Sequence, residues 1–177
     1  MKLQNLLQNT FMQGVIMGLA FCFYTVFMWL TRLDTIYLNI GQYFDMAIII
    51  LPVLIIFWAI KQENKKQKIN LFKRILIAIF IGFISFIIYD PFLYTYHHFI
   101  NPDWFSSVLT LKEAELIAAN TDIHLISEQL QQTKDTGLVQ SGLFRLSAII
   151  PSVIIIPTLI ALLSLIFIKT KTIEIKD

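Results

Sequence analysis

The 177-residue chain contains little charge and a single cysteine. Charged residues make up 15% of it and hydrophobic residues 56%, whereas about a quarter of a soluble domain is charged. The lone Cys22 excludes an intrachain disulfide. Motifs for phosphate binding, dinucleotide binding, serine hydrolysis, zinc proteolysis and dithiol chemistry are absent from the sequence. We therefore expect no enzymatic activity, no cofactor, no metal site and no nucleic-acid partner.

Four apolar blocks are each long enough to cross a membrane. About 20 helical residues span the ~30 Å hydrocarbon core, and backbone groups in lipid have to pair within their own helix. The first block is too long for a signal peptide, and no small-residue cleavage site follows it. The sequence therefore predicts an all-α integral membrane four-helix bundle in a single domain. Its spans are predicted at residues 11–31, 43–60, 75–96 and 146–168.

Basic residues are unevenly distributed among the loops, which predicts the orientation of the chain. Segment 61–74 concentrates lysine and arginine around one acid, and three lysines follow the last span. Segment 97–145 holds six acids and three bases. Because lysine and arginine collect on the cytoplasmic side, we expect both termini inside, in a bacterial inner membrane. The inner side then carries a net charge of +7 and the outer side −5.

Residues 105–137 are predicted to form the one sizeable water-facing element, either an amphipathic helix or a helical hairpin. Thr110 and Glu113 have the spacing of a capping box. Thr121 and Asp122 are favourable residues for starting a second helix, and Gly137 is expected to end the helical pattern. We expect this element to lie on the outer face, partly packed against the bundle or the lipid surface.

Four ionisable residues near the outer ends of the spans, Arg32, Asp45, Asp90 and Arg145, are candidates for a polar site. Asp45 lies where the positive end of a helix dipole favours an anion. Asp90 lies about 22 Å from the start of the third span, at 1.5 Å per residue, and Pro91 is expected to kink that helix. The arginines are the expected partners of the carboxylates. Such a ring would tie the helix ends together or form the mouth of an ion or proton path.

The exit of the third span, IIYDPFLYTYHHFINPDW (residues 87–104), is rich in tyrosine and contains a histidine pair. Tyrosine and tryptophan are enriched where helices meet lipid headgroups, which predicts an interfacial role for its aromatic rings. His97 and His98 would point about 100° apart on a helix, whereas zinc ligands usually share one face. A metal site would require His124 or Asp103 to fold back, and we expect none.

Small residues at helical spacing mark two faces suited to close helix packing. Such residues let helix backbones approach closely in lipid. We expect the two faces to meet each other or to contact another subunit. The first face consists of Gly14, Gly18 and Cys22, and the second of Ala78, Gly82 and Ser85.

The order of these parts is similar to that of a known family. The segments that carry the resemblance are KQENKKQKINLFKRILIAIFIGFISFIIYDPF, residues 61–92, and AIIPSVIIIPTLIALLSLIFIKTK, residues 148–171. They resemble a family of small bacterial membrane proteins classified as domain of unknown function 4199. The resemblance covers nearly the whole chain and implies four spans in a bacterial membrane. It implies no catalytic residues.

Two functions follow as hypotheses. The first is a non-enzymatic accessory or scaffold subunit that packs through its small-residue faces against itself or another membrane protein. The alternative is a small transporter or channel that uses Asp90 and Asp45 with Arg32 and Arg145. In both cases the lipid bilayer is a partner.

Overall fold

The computed structural model describes residues 3–66, 69–139 and 143–168, with side chains described for residues 8, 10–66, 69–135 and 143–168. Lys2, Lys68 and the three lysines after the last span, which contribute to the predicted charge distribution, lie outside the described residues. The described residues are mostly helical and contain no strand. In chain order the elements are α1 (Leu3–Leu30), α2 (Leu38–Ala47), α3 (Ile50–Lys66), α4 (Leu71–Thr95), the π-helix π1 (Tyr96–Ile100), α5 (Trp104–Ala118), α6 (Ile123–Val139), α7 (Leu146–Ile149), the π-helix π2 (Ile150–Ile155) and α8 (Ile156–Phe167).

Four helical segments are long and apolar enough to cross a membrane. In each, between 28% and 33% of the most apolar window is buried, so most of its apolar surface faces outward, as contact with lipid requires. The first and last segments lie within one residue of the predicted bounds, while the middle two extend further at both ends. The predicted all-α membrane fold is confirmed. The segments are Thr10–Leu30, Leu38–Lys66, Leu71–Ile100 and Leu146–Phe167.

The chain divides into two compact units. The first comprises Met1–Phe21, Ala47–Tyr89 and Leu146–Asp177, and the second Cys22–Met46 and Asp90–Arg145. In the first unit, α3, α4 and α8 supply most of a core of isoleucine and alanine. Its most completely buried apolar members are Ile56, Ile60, Ile69, Ile77, Ala78, Ile81 and Ala161.

Two prolines bracket the wide helical turn that precedes α8. Pro151 is the second residue of π2, and Pro157 is the second residue of α8. The Ile156 N–H donates to the carbonyl of Pro151, five residues earlier. A π-turn inside an α-helical segment is one of the usual causes of a local bend. Gly82 of α4 lies against this turn and the start of α8, because a Cβ added there would approach the Ser152 carbonyl oxygen to 3.2 Å and Pro157 Cγ to 2.8 Å.

A buried arginine donates hydrogen bonds to carbonyl groups at the C-terminal end of α8. Arg74 of α4 is fully buried, and its Nη1 donates to the Ser164 carbonyl at 2.8 Å and to Ser164 Oγ at 3.1 Å. Its Nη2 donates to the Ile168 carbonyl at 2.8 Å. The last carbonyls of a helix have no partner within it, and a cation is favoured at that end by the helix dipole. The guanidinium thus joins the start of α4 to the end of α8.

The insertion after the third span consists of two helices, α5 and α6, which contact each other as a hairpin. Asp122 caps α6, since its Oδ1 accepts the His124 N–H at 2.8 Å, as the sequence predicted. The capping-box prediction was wrong, because α5 begins at Trp104 and the Thr110 hydroxyl donates to the Ser106 carbonyl inside the helix. Gly137 does not end α6, which continues to Val139.

Candidate functional site: the polar base of the hairpin

A buried cluster in the second unit holds the chain just before α5. Tyr96 of π1 is 2% exposed, and its hydroxyl donates to Asp34 Oδ2. Asn101 donates from its side-chain amide to the same Asp34 oxygen at 2.9 Å and to the Tyr96 hydroxyl at 2.8 Å. The Asn101 backbone N–H also bonds to the Tyr96 carbonyl at 2.8 Å. Three polar side chains therefore form a closed triangle at the base of the hairpin.

The loop that carries Asp34 is fixed by a close approach to α2. Arg32 adopts a positive φ of 58° as the chain leaves α1. A Cβ added at Gly41 would overlap the Leu33 carbonyl oxygen, so that the backbone would have to move. Glycine at position 41 thus lets α2 pack directly on the residue that precedes Asp34.

Two polar atoms at this base have no hydrogen-bond partner among the described residues, Asp34 Oδ1 and His97 Nδ1. The His97 ring lies between two aromatic rings, 5.2 Å from that of Tyr96 and 4.5 Å from that of Trp104 between centroids. Trp104 is the first residue of α5. The His97 ring therefore connects Tyr96 of the polar triangle to the first residue of α5.

A second aspartate holds the chain on the far side of the hairpin. Asp90 is 8% exposed, and its Oδ2 accepts the backbone N–H of Phe144 at 2.9 Å. Phe144 has a positive φ of 50° and lies two residues before α7. A carboxylate that accepts a backbone N–H forms one of the stronger hydrogen bonds in proteins. Asp34 and Asp90 therefore fix the chain before and after the hairpin.

The hairpin between these two points buries little of itself. None of the residues of α5 is buried, and the described side chains of α6 are half-buried or exposed. Ile117, Ile123 and Leu125, around the turn that joins the helices, are 59%, 77% and 49% exposed. These apolar side chains therefore lie on the surface of the second unit and not in its interior. The hairpin has a fixed base and an open surface.

The two aspartates of the predicted polar ring each accept one hydrogen bond from a nearby group. Asp45 accepts the Tyr24 hydroxyl at 2.8 Å on an exposed surface, and Asp90 accepts the Phe144 amide. The hydrogen bonds that these carboxylates accept therefore come from a tyrosine hydroxyl and a backbone amide. Their pairing with Arg32 or Arg145 stays a prediction.

The small-residue faces lie inside the first unit, with Cys22 the exception. A Cβ at Gly14 would lie 2.6 Å from Ile84 Cβ, and one at Gly18 would lie 2.9 Å from Ile88 Cβ. α1 therefore packs on α4 through these glycines, whereas Gly82 packs on π2 instead. Of the other three, Ala78 and Ser85 are buried and Cys22 is half-exposed in the second unit.

The adjacent histidines diverge, as their spacing predicted. His98 stacks on Tyr94 with ring centroids 4.0 Å apart, and its Nδ1 donates to the Tyr94 carbonyl at 2.8 Å. His97 faces Tyr96 and Trp104. Within the described ranges, no group of three or more histidine, cysteine or acidic side chains has the arrangement of a metal site.

Sequence reasoning missed Asp34, Asn101 and Gly41 and assigned Tyr96 only to the membrane interface. Asp34 and Asn101 are 67 residues apart, so no local spacing relates them. The one local signal nearby is Pro91, which lies within α4 five residues before π1 begins.

We expect Asp34→Ala to loosen the start of the hairpin. The change leaves the Tyr96 hydroxyl and the Asn101 amide without their buried acceptor, which costs about 1–3 kcal/mol of unfolding free energy. Hydrogen–deuterium exchange of purified protein should show faster exchange at residues 101–105. The matched control is Asp45→Ala, because Asp45 also accepts a tyrosine hydroxyl but is exposed. Equal effects of the two changes would contradict the role assigned to the buried triangle.

Comparison with known proteins gives one family. No curated protein and no solved structure matches the chain. The profile of the family described as "Protein of unknown function (DUF4199)" matches residues 13–170. This range includes the hairpin with its two fixed ends and all four candidate spans, except for the first three residues of the first span. This agrees with the resemblance found in the sequence. The chain therefore belongs to the DUF4199 family, and it is a multi-pass membrane protein by its four apolar helices.

Proposed function

We propose that this protein is a non-enzymatic accessory or scaffold subunit that presents the α5–α6 hairpin to a partner protein in the same membrane. The observation that carries the proposal is the contrast between the hairpin and its base. Hydrogen bonds accepted by the buried carboxylates of Asp34 and Asp90 hold the chain on both sides of the hairpin, while α5 buries none of its residues. A fixed base lowers the entropic cost of ordering the hairpin when a partner binds.

The composition of the hairpin favours a basic, membrane-bound partner. Residues 103–135 hold six acids and two lysines, and Ile117 and Ile123 expose apolar surface among them. Charge complementarity steers association and suppresses wrong partners. Two copies of this acidic surface would repel each other, which disfavours self-association through the hairpin. An anionic lipid surface is disfavoured for the same reason.

Gly14 and Gly18 contribute to the proposed function through packing inside the protein and not through contact with a partner. Gly14 and Gly18 are occupied by Ile84 and Ile88 of the same chain. A partner therefore has no access to them while α1 is packed on α4. Their role in the proposal is to build the scaffold, and the hairpin supplies the contact.

We place the protein in a bacterial inner membrane, with both termini in the cytoplasm and the hairpin outside. The basic segment between α3 and α4 supports this orientation, because lysine and arginine near span ends are retained on the cytoplasmic side. The net acidic charge of the hairpin is consistent with it.

One crosslinking experiment tests orientation and docking together. In a Cys22→Ser background, Ser127→Cys places a single thiol on exposed α6, and Ser106→Cys places one near the base. Both serines are exposed and donate to a backbone carbonyl three residues earlier, so the pair is matched. Intact cells are treated with a membrane-impermeant, thiol-directed photocrosslinker. We expect both thiols to react, and Ser127→Cys to give one discrete crosslinked protein.

The chemistry of that contact is tested by removing charge. Glu113→Gln/Glu115→Gln/Glu128→Gln should abolish the crosslinked product and leave thiol labelling intact. Lys112→Gln/Lys134→Gln, which alters charges of the opposite sign on the same helices, should preserve it. Labelling only after permeabilisation would contradict the orientation. A product insensitive to the glutamate changes would contradict the proposed docking.

A small transporter or channel is the second candidate. The observation that favours it is a pair of buried atoms without a hydrogen-bond partner among the described residues. They are Asp34 Oδ1, in the loop after the first span, and His97 Nδ1, near the outer end of the third span. Ionisable groups in membrane spans often belong to ion or proton paths. Purified protein in liposomes would then conduct protons, and Asp34→Asn would stop the flux while Asp45→Asn would not. Flux of this kind without a crosslinked partner would favour transport over the scaffold.

A further inference from the structure

A groove in the first unit lies between the end of α3 and the end of α8. Its volume is about 770 Å³, and a second hollow of about 390 Å³ adjoins it on α3, sharing Trp58, Lys61 and Lys65. Such volumes are in the range of ligand-binding clefts. The walls of the larger groove are formed by Phe57, Trp58, Lys61, Asn64, Lys65, Phe167 and Ile168.

Polarity changes along the groove in the direction of the helix axis. Phe57 and Phe167 face each other with ring centroids 5.9 Å apart, and Trp58 beside them is 46% exposed. Lys61 and Lys65 follow on the same side of α3, where a rise of 1.5 Å per residue puts Lys65 about 10 Å beyond Trp58. An apolar end therefore leads to a cationic end.

The two lysines of the groove differ from their neighbour Lys66 in having no ion pair within the described ranges. Lys66 is different, because its Nζ lies 2.7 Å from the carboxylate of Glu63, a side chain that is 2% exposed. Lys61 and Lys65 are exposed and have no acidic partner among the described residues. Two free ammonium groups one helical turn apart can contact one phosphate together, since residues at i and i+4 are neighbours on a helix.

We propose that this groove is a binding site for one anionic phospholipid. The phosphate contacts Lys61 and Lys65, and an acyl chain lies along Phe57, Trp58 and Phe167. Basic pockets at the ends of membrane helices bind anionic headgroups, with about 1 kcal/mol for each lysine near the surface. A soluble anion leaves the aromatic wall unused. A zwitterionic lipid leaves the charge of the lysines uncompensated.

Native mass spectrometry of the purified full-length protein tests the site. Phosphatidylglycerol and phosphatidylcholine with identical acyl chains are titrated separately, and the affinity for the first bound lipid is compared. We expect phosphatidylglycerol to bind more tightly. Lys61→Gln/Lys65→Gln should weaken it about fivefold per lysine, or roughly 25-fold in total. The charge-matched control Lys112→Gln/Lys134→Gln, on the hairpin, should leave the affinity unchanged.

The apolar wall and the source of the phosphate are tested in the same assay. Trp58→Ala should weaken phosphatidylglycerol binding, and sn-glycerol 3-phosphate, which has the headgroup phosphate without acyl chains, should fail to displace the lipid. Equal affinity for the two lipids would overturn the proposal. An equal loss of phosphatidylglycerol affinity in Lys61→Gln/Lys65→Gln and in the control Lys112→Gln/Lys134→Gln would also overturn it. The same holds for displacement of the lipid by glycerol phosphate at concentrations comparable with those of the lipid. None of these outcomes depends on the hairpin or its partner.

Discussion

Arg74→Ala is expected to destabilise the first unit more than any other single change proposed for this chain. The guanidinium is fully buried and donates to the Ser164 carbonyl, the Ser164 hydroxyl and the Ile168 carbonyl. Its removal leaves carbonyls at the end of α8 without their donors and creates a cavity. The expected loss is about 3–5 kcal/mol of unfolding free energy, from the lost hydrogen bonds and the void together.

Thermal unfolding of purified protein in mild detergent measures this effect. Lys73→Ala is the matched control, because it removes a cation from the neighbouring position, where the side chain is only half-buried. Arg74→Lys should fall between wild type and Arg74→Ala, since one ammonium cannot reproduce the planar fork of the guanidinium. Similar melting temperatures for Arg74→Ala and Lys73→Ala would show that Arg74 does not hold the end of α8.

The double change Gly14→Leu/Gly18→Leu is expected to separate α1 from α4. Even a single added carbon at these positions would lie 2.6 Å from Ile84 Cβ and 2.9 Å from Ile88 Cβ. A leucine adds three further carbons to that contact at each site. Overpacking costs about 1–3 kcal/mol per site, so the double variant should lose several kcal/mol of stability and give little monodisperse protein on gel filtration.

The control for this change uses the same helix. Met12→Leu/Ile16→Leu alters positions that are 60% and 41% exposed and should leave the yield of folded protein unchanged. A Gly14→Leu/Gly18→Leu protein that folds normally but loses a bound subunit would contradict the internal packing. It would restore the glycine face as a surface for a partner.

The proposed scaffold function leads to a further expectation about these variants. Arg74 and the glycines act in the first unit, whereas Asp34 and Asp90 act at the base of the hairpin. Changes in the first group should lower the amount of protein in the membrane. Changes in the second should lower the amount less and should reduce crosslinking through Ser127→Cys for each molecule of protein present. The two kinds of defect are therefore separable by normalising the crosslinked product to total protein.

Long-range contacts explain why the polar part of the candidate site escaped prediction. The bond between Asp34 and Tyr96 joins residues 62 positions apart, and that between Arg74 and Ser164 joins residues 90 apart. No periodicity in the sequence relates such positions. Asp90 stood out in the sequence because an ionisable residue in a membrane span is energetically costly. The partner of Asp90 is the backbone N–H of Phe144, and since every residue except proline has such a group, the sequence could not identify it.

The amino-acid sequence by itself determined the four spans, the position of the hairpin and the start of α6 at Asp122. These depend on local properties, namely the apolar length needed to cross lipid, the need of backbone groups to pair within a helix and the capping of free N–H groups by a nearby side chain. The tertiary structure decided which faces meet. Gly14 and Gly18 pack on α4 while Gly82 packs on π2, because shape at a close helix contact depends on both surfaces. The same reason applies to the pairing of Asp34 with Tyr96 and Asn101, which exists only once distant segments have been brought together.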